Sequence, residues 1–163
     1  MNYEIREMLP EDGMRVLEIF REGIEGGNAT FDKEVPAWEV WDTKFFKICR
    51  FVLEDESGVV QGWAALQPIS ARDCYKGVAE VSIYLANGVQ GKGLGSVLLQ
   101  KLVMESEEHG FWTLQSGIFP ENNASIRVHR KLGFRIIGKR EKIAEMNGVW
   151  RDVVLMERRS PCV

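Results

Sequence analysis

Apolar and polar residues alternate over residues 3–8, which predicts an opening strand. Pro10-Glu11-Asp12 then starts a helix on which Met14, Val16, Leu17, Ile19 and Phe20 recur at helical spacing, with Gly26-Gly27 as its stop. A second helical stretch carries Trp38, Trp41, Phe45 and Phe46, a stripe that reads as core, while Phe31 stands apart in the loop between the two helices. Residues 49–53 and 59–68 read as two strands of a hairpin around Asp55-Glu56-Ser57-Gly58. After the loop ISARDCYKG comes an apolar strand with Val81, Ile83 and Leu85. The next helix follows, with Leu94, Val97, Leu98 and Leu102 on one face, solvated Glu105, Glu107 and Glu108, and His109-Gly110 at its end. Residues 111–119 form a further strand, and the polar run from Pro120 to Ser125 caps a short helix that Gly133 ends. Two last strands, 134–141 and 149–157, flank the turn Met146-Asn147-Gly148.

The order β-α-α-β-β-β-α-β-α-β-β puts hairpins first and βα units later, so an α/β fold with a mixed, mainly antiparallel sheet is expected, in one domain over residues 1–163. A hydrophobic content of 45% suits a packed core of that size. The net charge of −3 provides no basic field for nucleic acid or an anionic membrane. Cys49, Cys74 and Cys162 are odd in number and widely spaced, without a CxxC pair or a His cluster, which argues against disulfides or a metal site and for a reducing compartment. A charged N-terminus and the lack of a long apolar run make a cytoplasmic, membrane-free protein the expectation.

The candidate chemistry begins at Gln90-Gly91-Lys92-Gly93-Leu94-Gly95, between a strand and a helix. Glycine lets a ligand approach the main chain, the first helical turn offers free N–H groups, and Lys92 adds a mobile cation. Together they read as a pyrophosphate cradle, although the spacing fits neither GxGxxG nor GxxxxGK[ST]. A glycine turn by itself is a weak signal. The later string Glu121-Asn122-Asn123-Ala124-Ser125-Ile126-Arg127-Val128-His129, running on to Leu132-Gly133-Phe134, adds a second motif.

In this order the two motifs resemble the GNAT superfamily of N-acetyltransferases. Gln90, Gly93 and Gly95 match its Arg/Gln-x-x-Gly-x-Gly/Ala loop for acetyl-CoA, and Asn122, Ser125, His129 and Leu132 to Phe134 match its later motif. The finer resemblance is to the phosphinothricin and methionine sulfoximine acetyltransferase branch. It rests on Asn28-Ala29-Thr30-Phe31, Ala71-Arg72 with Tyr75, Glu80 to Leu85, Ser125 to His129 and Gly148 to Val153. The resemblance implies a GNAT fold of about seven strands and about four helices. It implies acetyl-CoA as cosubstrate, a small amine as acceptor and, as is frequent in that branch, a homodimer.

By the same resemblance, the main chain of Ile83, Tyr84 and Leu85 holds the pantetheine like an added strand, with one N–H for the thioester oxygen. Gln90, Gly91, Lys92, Gly93, Leu94, Gly95 and Ser96 take the pyrophosphate, and Asn122 and Ser125 the pantetheine arm. Glu80 is the candidate base for the amine, with desolvation in an apolar strand expected to raise its pKa; its plainer reading is a Glu on a solvent face. His129 stands where relatives carry a general acid, and acts as acid, as second base, or only structurally. Arg72 and Tyr75 are candidate anchors for a substrate carboxylate and Phe31 a candidate wall, each with a structural alternative. Trp150 and Arg151 touch either substrate or a partner subunit. No cysteine lies beside these positions, so direct transfer in a ternary complex is expected over a covalent acetyl-enzyme. A polyamine, an aminoglycoside or a protein N-terminus as acceptor, and a CoA-binding domain without chemistry, remain the alternatives.

Overall fold

The computed structural model describes residues 2–163. Its strands are β1 (Tyr3–Glu7), β2 (Phe51–Asp55), β3 (Val60–Pro68), β4 (Val78–Leu85), β5 (Thr113–Ile118), β6 (Arg135–Met146) and β7 (Val149–Arg159). The helices are α1 (Gly13–Gly26), α2 (Trp38–Lys44), α3 (Leu94–Glu108) and α4 (Asn123–Lys131). All the strands belong to one sheet in the order β1-β2-β3-β4-β5-β7-β6, and every neighbouring pair is antiparallel except β4–β5. The expected mixed, mainly antiparallel α/β fold is therefore the one observed.

Residue alternation on the central strands divides the core in two. Leu53, Leu66, Leu98, Leu99, Leu102, Leu114 and Met156 pack on the α3 side, and Val16, Ile19, Phe20, Trp41, Phe45, Val52 and Trp63 on the side of α1 and α2. In the second cluster Trp41 lies between Trp38 and Phe45, with ring centroids 5.0 and 4.4 Å away, and meets Trp63 edge-on at 5.2 Å. Trp63 in turn stacks on Tyr84 at 4.9 Å, so the aromatic layer runs to the middle of β4.

Several expected boundaries shift for identifiable reasons. The buried stripe of α3 is Leu98, Leu99, Leu102, Val103 and Ser106, and Val97, one residue off this stripe, is half exposed. Met14 likewise points away from the core face of α1 and is 80% exposed. Helix α2 stops at Lys44 because Phe45 is already extended, and Phe46 then turns into the other cluster against Phe111. Cys49 adopts a left-handed φ of 56°, which delays β2 to Phe51. Glu107 is not simply solvated: it accepts from the Ser160 hydroxyl and lies 3.7 Å from Arg158. Strand β6 continues through bulges to Met146 rather than ending near 141, and the hairpin turns at Asn147-Gly148.

Gly23 shows how tightly α1 sits on β4. A Cβ there would stand 2.7 Å from Tyr84 Cε1. Gly23→Ala gains about 1 kcal/mol of helix propensity, but pushing a methyl into the packed, half-buried Tyr84 ring costs about 1–3 kcal/mol. Net destabilisation is expected, read as a lower midpoint in thermal unfolding; a variant more stable than the parent would show that α1 is free to move off the strand.

Candidate active site

The parallel pair β4–β5 is short. Only Val78, Ala79 and Glu80 are in register with Thr113, Leu114 and Gln115. Beyond that rung β4 stays paired with β3 as far as Leu85, and β5 stays paired with β7 as far as Ile118. The two strands therefore part, and the β5-facing edge of β4 from Val81 onward has no strand partner. A cavity of about 550 Å³ occupies this opening. Its lining draws on both faces of the sheet: Glu80, Ser82 and Tyr84 from one face of β4, Val81 and Ile83 from the other, and Ser116, Ile118 and His129 beyond.

The glycine loop adjoins the end of β4. Gly91 and Gly93 have φ of 77° and 78°, a left-handed conformation that a side chain resists, and a Cβ on either would meet no heavy atom within 4 Å. The backbone conformation, not crowding, requires glycine here, and the outer side of the loop is open. Gln90 Nε2 donates to the Leu85 carbonyl at 3.3 Å and lies 3.5 Å from Asn87 Oδ1, fastening the loop to the strand. The amides of Leu94, Gly95 and Ser96 form the first turn of α3 and have no intrahelical acceptor, and Lys92 is exposed beside them.

Helix α4 is positioned by its cap. Asn122 Oδ1 accepts from the Ser125 amide at 3.3 Å, and Asn122 Nδ2 donates to the Asn28 carbonyl at 3.3 Å. One turn on, His129 is buried to 1% exposure with Phe134 edge-on at 4.9 Å. Its Nδ1 lies 2.7 Å from the Ser125 carbonyl, which can only accept, so Nδ1 carries the hydrogen and Nε2 has a bare lone pair. Burial pushes the His129 pKa down, and the Ser125 carbonyl opposes this only in part. Such an imidazole can take a proton at Nε2 and has none to give there in its neutral form. The Ser125 hydroxyl stands 3.4 Å from Nδ1.

Glu80 is half-buried on the last rung before the strands part, with Gln115 Nε2 donating to its Oε2 at 3.4 Å. Phe31 does line the cavity, edge-on to Phe119 at 4.8 Å. Its loop is tied down by Arg151, whose guanidinium donates to the Gly27 carbonyl (3.1 Å), Asn28 Oδ1 (2.8 Å) and Glu121 Oε2 (3.2 Å) while lying 4.1 Å from the centre of the Phe119 ring. Arg151 is thus an internal fastening, whereas Trp150 is exposed on the β6–β7 hairpin. Arg72 and Tyr75 stack on each other in the exposed β3–β4 loop and do not line the cavity. The cations that line it are Lys44 and Arg140. Cys49 is buried 3.7 Å from His109 with its thiol pushed up to about 12, Cys74 and Cys162 are exposed, and none of them lines the cavity.

Five buried side-chain atoms find no hydrogen-bond partner among the described residues: Tyr3 Oη, Trp41 Nε1, Trp63 Nε1, Gln67 Oε1 and His129 Nε2. All of these except Tyr3 belong to residues lining the cavity. Each unpaired buried group costs about 1–3 kcal/mol, so their concentration around one cavity calls for partners there, water or a polar ligand. Trp41, Trp63 and Gln67 have no motif signal. In sequence Trp41 reads as core, which both tryptophans are, and Gln67 is a polar residue late in a mostly apolar strand.

Comparison with known proteins places these features in context. Residues 15–134 match the model of the acetyltransferase (GNAT) family. A Bacillus subtilis protein provisionally described as a phosphinothricin acetyltransferase is 37% identical over 66% of this chain and 66% of its own length. An L-methionine sulfoximine/L-methionine sulfone acetyltransferase of Salmonella typhimurium is 34% identical over 65% of this chain and 62% of its own length. The matched stretch thus spans a little under two thirds of these relatives. The crystal structure of a GNAT superfamily phosphinothricin acetyltransferase from Sinorhizobium meliloti in complex with AcCoA superposes with a TM-score of 0.89 at 31% identity, over 98% of this chain and 89% of that one.

The neutral His129 has a consequence for stability. Its folded pKa lies below the ordinary 6.5, so below pH 6.5 the unfolded chain binds a proton that the folded chain refuses. The stability present above that pH is lost as the pH falls. Thermal midpoints of the parent and of His129→Gln should therefore converge on acidification below pH 6.5, and a pH-independent difference between them would contradict a neutral buried imidazole. Nitrogen-15 spectra at neutral pH should show the hydrogen on Nδ1.

Proposed function

Because this chain belongs to the acetyltransferase (GNAT) family, we propose that it transfers acetyl from acetyl-CoA to the α-amine of a small amino acid or analogue of the phosphinothricin or methionine sulfoximine kind. Both molecules are bound at once, and the protein works in the cytoplasm. The observation that carries this reading is the cavity at the parting of β4 and β5, with Glu80 on its rim and the glycine loop beside it. The relatives named for these two acceptors support the substrate class.

The site suits acetyl-CoA on its own geometry. The unpartnered edge of β4 offers the main chain of Ile83, Tyr84 and Leu85 to an extended pantetheine arm, as an added strand would use it. One N–H of that edge serves as donor to the thioester oxygen. The loop from Gln90 to Gly95, with Lys92 and the Ser96 amide, holds the pyrophosphate. The Asn122 amide retains a second N–H for the arm, next to Ser125. When bound, the thioester supplies an activated acetyl group. The protein's part is to free the amine of its extra proton. Glu80, steadied by Gln115, takes that proton, and His129 Nε2, on α4, is a second acceptor. A cysteine relay is disfavoured by the placement of the thiols.

On the acceptor side Phe31 walls the cavity, and Lys44 and Arg140 take the acidic group, a role for which Arg72 and Tyr75 are too far out on their loop. The exposed Ile136, Ile137, Val149 and Trp150 leave apolar surface on the β6–β7 hairpin, and two copies pair through that hairpin.

A thiol-release screen with acetyl-CoA against the proteinogenic amino acids, phosphinothricin, methionine sulfone and methionine sulfoximine tests the acceptor class. Release with at least one of them is expected, and silence across the panel would overturn it. In Glu80→Gln, turnover at neutral pH should fall about 10²–10⁴-fold with acetyl-CoA affinity kept. Full turnover in that variant would remove Glu80 from the base role.

A further inference from the structure

The row of side chains across the sheet at Glu80 contains one more group than proton removal needs. Gln67 on β3 is the direct cross-strand partner of Glu80, and Gln115 is its partner on β5, so the three side chains stand on one face in one line. Direct cross-strand neighbours have Cβ atoms about 5 Å apart. Gln115 donates to Glu80 Oε2 and so occupies one carboxylate oxygen from the β5 side. On the β3 side Gln67 Oε1 is buried and has no partner among the described residues, although Gln67 lines the same cavity. The next row on this face is Ala65 and Ser82, two short side chains that leave space above them.

Resting on the acetyltransferase reading, we infer that Gln67 is the second anchor of the acceptor amine and makes the site selective for primary amines. A neutral primary amine has two N–H bonds and one lone pair. Once the proton taken by Glu80 has passed on to water, its carboxylate accepts one N–H and Gln67 Oε1 the other, which leaves the lone pair as the only free direction of the nitrogen. Gln67 holds the amine from β3 and Glu80 from β4, so the lone pair is left to face the open side of the row, where β4 and β5 part. A secondary amine or an alcohol has only one hydrogen to offer, so one of the two acceptors stays unpaired in a buried place. Satisfying the carboxylate then leaves Gln67 orphaned, and the penalty falls on the wrong acceptor.

Two measurements separate this inference from the reading on which it rests. In the first, the side-chain amide resonance of Gln67, assigned by its loss in Gln67→Leu, is followed while methylammonium or tetramethylammonium is added. A shift with methylammonium alone is expected. Equal response to both ions, or to neither, would overturn the amine anchor, even in an active acetyltransferase. A shift in a protein that acetylates nothing would instead keep the anchor and defeat the transferase reading. In the second, acetyl transfer to L-methionine sulfoximine is compared with transfer to its N-methyl derivative. Gln67→Leu should raise KM for the primary amine about tenfold, the loss of one buried hydrogen bond, and leave its N-methyl counterpart nearly unchanged. Equal losses on both amines would show Gln67 to be a water-satisfied structural residue. Acetyl-CoA affinity, expected to be unchanged, verifies the fold of the variant.

Discussion

The structure depends on the brevity of one strand pairing. The parallel contact of β4 with β5 ends at Glu80 and Gln115, while each strand remains committed to its other neighbour, β3 or β7. A main-chain edge without a strand partner has to find water or a ligand for its N–H and C=O groups, because a dipole left unpaired and desolvated is costly. The stability that offsets it comes from elsewhere. Two apolar clusters pin the diverging strands from both faces, and the antiparallel pairing of β5 with β7 and of β3 with β4 is continuous on either side of the gap.

That arrangement explains why unpaired polar atoms gather where they do. Trp41 and Trp63 are core residues by packing, stacked and edge-on within the α1–α2 cluster, yet their indole N–H groups are left without acceptors beside the cavity. His129 is similarly locked on one nitrogen and free on the other. Only an apolar group of the same shape at such a position would relieve an unpaired dipole without opening a cavity.

Much of this was legible in the chain itself. The order of elements, the glycine loop and the α4 motif follow from local rules of period, capping and backbone conformation, and these are local in the structure too. The failures have a common cause in distance. Whether Val97 or Leu99 faces inward depends on where the sheet lies relative to α3, which its own periodicity leaves open within one residue. Arg72 is the right chemical group for a carboxylate, but its loop carries it away from the cavity to lie against Tyr75. Lys44 and Arg140 approach from α2 and β6, elements far apart in sequence, and carry no motif. Gln67 acquires meaning only through its register with Glu80, which one strand alone does not reveal.

Arg151 reaches from β7 to the loop of Phe31 and to Glu121, and Asn122, the next residue, both caps α4 and grips Asn28. The wall of the acceptor half and the cap of the helix that carries His129 thus share their hydrogen bonds. On the proposed reading, a bound molecule that shifts this junction from one side would change affinity for the molecule on the other, and the two effects would be equal by thermodynamic reciprocity. On that reading, a chain that adapts the Phe31 loop to a new amine would also retune its hold on the acetyl donor.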